Sequence, residues 1–120
     1  IGGHSLGGVM AAQYAYRNPE LIDGLVLWAA YPASGNDLSK LNTVTTTIHG
    51  TNDGIVSDSK IDDSLKLLPP DTVRVDIIGG NHAQFGWYGN QSGDRDANIS
   101  RELQQSQVVY ATVELLKQLK

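Results

Sequence analysis

From Leu6 to about Arg17, small and apolar residues (Leu6, Val9, Met10, Ala12, Tyr14) recur at helical spacing and stop at Asn18-Pro19, which predicts a helix. Gly24 to Ala30 is a continuous apolar run, as expected of a strand covered on both faces. A polar loop from Pro32 to Asn42 follows. Val44 to His49 is rich in β-branched residues and predicts a second strand, whose threonines point to one less deeply buried face. Ser57 or Ser59 can cap a helix carrying Ile61, Leu65 and Leu68, which Pro69-Pro70 ends. Thr72 to Ile78 alternates Val73, Val75 and Ile77 with Arg74 and Asp76, a third strand. From about Ser100 to Leu119 a final helix carries Leu103, Tyr110, Val113 and Leu116 on one apolar stripe, with Glu102 favourably placed in its first turn. Strands alternating with helices imply a parallel sheet in a layered α/β architecture.

Composition narrows this picture. The 120 residues fit one domain, and 40% hydrophobic with 18% charged residues suits a soluble globular chain. A net charge of −4 and the lack of any basic run argue against nucleic acid as a partner. Without cysteine there is no disulfide and no thiolate zinc site. No apolar stretch approaches the roughly 20 residues of a membrane span.

Three short segments carry chemistry. Gly3-His4-Ser5-Leu6-Gly7 fits G-x-S-x-G directly before a helical pattern. A serine hydroxyl needs exposure and a hydrogen-bonded base to become a nucleophile. A tight turn between strand and helix exposes it, side chains at Gly3 and Gly7 would collide there, and the Leu6 amide is aimed where an oxyanion would form. Asp53, in Asn52-Asp53-Gly54, lies just past the second strand, where such an acid can orient a histidine; an ordinary turn explains the same residues. His82 follows the third strand through Gly79-Gly80-Asn81, and alone it would pass as a surface histidine. Order gives the three their weight, because Ser5, Asp53 and His82 each follow a strand in the order nucleophile, acid, base. His4 is expected to point away from the reaction. Asp58 is a reserve acid.

The string Gly2-Gly3-His4-Ser5-Leu6-Gly7-Gly8 resembles the nucleophile elbow of esterases and lipases of the α/β-hydrolase superfamily. Gly50 to Gly54 and Gly80 to Gly86 are similar to the acid and base loops of its small bacterial members, the α/β-hydrolase family 5 and dienelactone-hydrolase-like proteins. The resemblance implies the C-terminal part of a three-layer α/β fold, a mostly parallel sheet flanked by helices. Residues 1–120 would form the second half of a single domain, without its N-terminal strands. Its strands would be the sixth, seventh and eighth of the family sheet, with Ile1 ending the fifth. Two departures matter. Dienelactone hydrolases proper use cysteine where Ser5 stands, which leans towards ester hydrolysis. The loop that donates the second oxyanion amide, and any leader or anchor, would lie upstream of Ile1, leaving Leu6 as the one assignable donor.

The implied activity is cleavage of a small-molecule carboxylic ester through an acyl-enzyme on Ser5, with no metal or organic cofactor. A thioesterase, acyltransferase or peptidase would use the same triad, and a non-catalytic binding module on this scaffold is the alternative outside enzymes. The connection from Tyr31 to Thr43 is too short for a helical cap, so an open site is expected. Tyr31, Phe85, Trp87 and Tyr88 are candidates for an aromatic wall against substrate, or alternatively pack beneath the last helix or shield His82. Gln84 to Asn98 is long and glycine-rich, and is expected to form a small mobile flap.

Overall fold

The computed structural model describes every residue from Ile1 to Lys120. Four strands, β1 (Gly2–His4), β2 (Gly24–Trp28), β3 (Val44–Gly50) and β4 (Val73–Ile77), form one parallel sheet in chain order. Three helices flank it: α1 (Leu6–Arg17), α2 (Asp58–Ser64) and α3 (Arg101–Leu116). This is the α/β class expected from the pattern. The apolar pattern predicts three strands and the resemblance a further one ending at Ile1; that strand instead covers Gly2–His4, which pairs with β2, Gly2 opposite Val26 and His4 opposite Trp28. Glycines have little strand propensity of their own, so pairing with β2 imposes the extended form.

β2 shows how the layers arise. Leu25 and Leu27 pack on one face with Ala11, Ala12 and Ala15 of α1 and with Ala30, Leu38 and Leu68. Val26 and Trp28 point to the opposite face, where Ala29, Ile48, Ile77 and Phe85 meet Val108 and Ala111 of α3. Two apolar layers on a parallel sheet leave its inner strands no solvent face. β3 follows this rule against the expectation of a less buried face: Thr45, Thr46, Thr47 and His49 are all buried. Their polarity is met locally at Thr45, whose hydroxyl donates to the Thr43 carbonyl at 3.0 Å.

The α3 stripe is also corrected. Leu103, Tyr110, Val113 and Leu116 are exposed, and the helix turns Gln104, Val108, Ala111 and Leu115 inward. Gln104 explains the rotation. Its side chain donates to the Asn81 carbonyl at 2.8 Å and accepts from the Asn81 amide at 3.1 Å, so a polar residue is fully satisfied inside the core face. Ser100 caps α3 by accepting from the Leu103 amide, and Ser57, not Ser59, caps α2 by accepting from the Lys60 amide. No helix is long and apolar enough to cross a membrane.

Candidate active site

Ser5 stands at the corner between β1 and α1 with φ 53° and ψ −125°. A non-glycine residue in that region costs about 1–3 kcal/mol and persists only where its surroundings fix it. Both neighbours do so here. The Ser5 amide donates to the Trp28 carbonyl of β2 at 3.0 Å, while its carbonyl accepts from Gly8 at 2.9 Å and Val9 at 3.1 Å to start the helix. A Cβ at Gly3 would fall 2.4 Å from the Gly7 carbonyl carbon, and one at Gly8 would fall 2.5 Å from Ala30 Cβ. Gly7 faces open space, so the crowded pair is Gly3 and Gly8 rather than Gly3 and Gly7. Leu6 is the first residue of α1, where an amide has no acceptor within the helix.

Asp53 and His82 reach Ser5 from the turns after β3 and β4. Asp53 Oδ1 accepts from the amides of Ile55 at 2.8 Å and Val56 at 2.7 Å, which locks the carboxylate and leaves Oδ2 for His82 Nδ1 at 2.8 Å. His82 Nε2 lies 3.0 Å from Ser5 Oγ. Asp53 and His82 are buried. The two turns touch backbone to backbone: the Asn52 amide donates to the Gly80 carbonyl at 2.8 Å, and a Cβ on Gly50 would meet that oxygen at 2.5 Å. The structure thus brings together all three residues singled out by their order in the chain.

The remaining candidates are placed differently. Asp58 is engaged with His49 Nε2 at 2.9 Å and with Arg74, which also pairs with Asp62 and Asp76, so it is not directed at His82. Phe85 is only 3% exposed and belongs to the core under α3, so it is removed from the expected aromatic wall. Trp87 and Tyr88 are exposed and Tyr31 is half-buried. The Arg101 guanidinium sits 5.5 Å from the centre of the Trp87 ring. The Gln84 to Asn98 segment is not a free flap. Only Trp87 to Gly93 is continuously exposed, while Asn98 donates to the Gly79 carbonyl at 2.8 Å and Asn81 Nδ2 to the Arg95 carbonyl at 2.7 Å.

His4 was expected to point away from the reaction, yet its ring is 4.6 Å from that of His82. It stacks on Phe85, and Tyr88 Oη lies 2.6 Å from its Nδ1. Burial, followed by the neighbouring His82 imidazole, lowers the His4 pKa from 6.5 to about 4, so it is neutral at pH 7. Only adjacency to Ser5 signals this in the sequence. No group of three or more His, Cys, Asp or Glu side chains is arranged to hold a metal ion. The two largest cavities, about 540 and 510 Å³, border neither Ser5 nor His82.

The chain belongs to the alpha/beta hydrolase family, whose profile matches residues 1–106. Solved structures share the fold. A predicted CIB-like hydrolase from Thermoplasma acidophilum superposes with a TM-score of 0.71 at 21% identity, over 99% of this chain and 50% of that one. An alpha/beta hydrolase enzyme from the sediment metagenome of the Mar Chica lagoon, Morocco, gives 0.63 at 20% identity, over 94% and 60% of the two chains. A protein assigned as a dienelactone hydrolase from Klebsiella pneumoniae gives 0.63 at 15%, over 94% and 50%. The chain therefore spans about half the length of these structures. A search among curated proteins gives no significant match.

Proposed function

We propose that Ser5, His82 and Asp53 are the nucleophile, base and acid of a serine hydrolase acting on small carboxylic esters. What carries the reading is the continuous hydrogen-bonded line, 3.0 Å from Ser5 Oγ to His82 Nε2 and 2.8 Å from His82 Nδ1 to Asp53 Oδ2. His82 takes the proton of Ser5 as Oγ attacks the ester carbonyl, and the Leu6 amide donates to the oxyanion. The alkoxide leaves with the proton from His82. Water then attacks the acyl-enzyme, with His82 again the base, and releases the acid and Ser5. Asp53 keeps His82 in the tautomer with hydrogen on Nδ1 and stabilises the imidazolium between proton transfers.

In the full-length protein, p-nitrophenyl esters of short acids are expected to be cleaved, and Ser5→Ala to abolish the cleavage. Asp53→Asn should lower kcat by about 10⁴-fold, because an amide permits the wrong histidine tautomer. Undiminished turnover in Ser5→Ala would contradict the proposal. Acyl-thioesters, assayed beside the oxygen esters, test the substrate class: a clear preference for the thioester would replace esterase by thioesterase on the same residues.

A further inference from the structure

Asp94 has no part in the proposed triad, yet its carboxylate holds both turns that carry the acid and the base. Oδ1 accepts from the amides of Gly54 at 3.0 Å, His82 at 3.2 Å and Arg95 at 3.0 Å. Oδ2 accepts from the Ala83 amide at 2.8 Å. Gly54 is the residue after Asp53, and His82 is the base itself. Burial opposes ionisation of Asp94, but the amides of Gly54, Ala83, His82 and Arg95 outweigh it and hold the carboxyl below its usual range.

The next two residues repeat the arrangement. Arg95 Nη2 donates to the carbonyls of Thr51 and Asp53, each at 3.1 Å, and the Arg95 carbonyl accepts from Asn81 beside His82. The Asp96 carbonyl accepts from Asn52 Nδ2 at 3.0 Å. The strap lies directly on the acid turn, since a Cβ at Gly54 would meet Arg95 N and the Gly93 carbonyl at 2.7 Å. Contacts to one turn would serve local stability alone. Contacts to both add to the direct hydrogen bond from Asn52 to Gly80 in fixing how the turns sit against each other, and the contact from Asp53 Oδ2 to His82 Nδ1 spans that junction.

We propose that Asp94 is a positioning residue that sets the register of the Asp53 carboxylate against the His82 imidazole. This rests on the triad assignment made above. The test uses the full-length protein with Asp94→Ala and, as the milder change, Asp94→Asn, which keeps one acceptor oxygen. Three quantities are read on folded samples: the rate of Ser5 labelling by a fluorophosphonate, kcat and KM on a p-nitrophenyl ester, and the low-field proton resonance of His82 Nδ1–H. The labelling rate and kcat are expected to fall about 10- to 100-fold in Asp94→Ala and less in Asp94→Asn. KM should stay within about twofold, since substrate binding is untouched. The low-field resonance should move upfield or broaden. Should Asp94→Ala not fold, Asp94→Asn alone decides. Wild-type labelling with an unchanged resonance in a folded variant would overturn the proposal and leave the triad standing. A wild-type protein that is not labelled at Ser5 would overturn the triad itself.

Discussion

Two of the three donors to the Asp53 carboxylate are backbone amides of its own turn, so the acid is set locally before His82 arrives. That economy explains why Ser5, Asp53 and His82 are legible in the sequence: each sits in a short turn after a strand, and local chemistry places it. His4 and Asp94 are not legible, because the contacts that matter join distant parts of the chain, His82 lying 78 residues from His4 and Gly54 lying 40 from Asp94. For Phe85 two readings stood open, wall or packing beneath the last helix, and the core takes it, an aromatic near the base being equally suited to either. His4 carries a prediction. Its folded pKa of about 4 lies below the ordinary 6.5, so between those values the unfolded chain binds more protons. This contribution to stability is full above pH 6.5 and is lost as pH falls towards 4. Urea midpoints at pH 7 and pH 4.5 should differ more for the wild type than for His4→Phe. Equal pH dependence in the two would show that His4 is not held neutral by its half-buried site.

The corner between β1 and α1 separates glycines that look alike in the sequence. Gly3→Ala should destabilise the protein, because the new methyl overlaps the Gly7 backbone, whereas Gly7→Ala meets nothing within 4 Å. The latter should be neutral or stabilise by up to about 1 kcal/mol through helix propensity, read from chemical denaturation. In α3 the periodicity was right and its phase was not. Counting apolar residues put Leu103, Tyr110, Val113 and Leu116 on the marked stripe, while Gln104 turns inward to serve Asn81 and takes the opposite side with it. Leu115→Ala should therefore cost about 2–5 kcal/mol and Leu116→Ala about 0.5 or less. Equal losses would contradict the phase described here.

The parallel sheet ends at β1 on one side and β4 on the other, and α1 exposes Leu6, Met10, Tyr14 and Tyr16. An unpaired edge beside exposed apolar side chains favours association. The 120-residue chain is expected to self-associate in sedimentation experiments, and a monomer with a cooperative thermal transition would refute this. The layered α/β class was legible from alternating patterns because burial on both faces imposes its own composition. The strand before Ser5 was expected to end at Ile1; that it runs over Gly2 to His4 was not legible, since those glycines are extended only by pairing with β2. Strands β1, β3 and β4 deliver Ser5, Asp53 and His82 to the same end of the sheet, and the proposed chemistry depends on that convergence. Labelling of the full-length protein with a fluorophosphonate, followed by peptide mass spectrometry, tests it most directly. The adduct is expected on Ser5, with none formed in Ser5→Ala; a folded, active protein left unmodified at Ser5 would contradict the account.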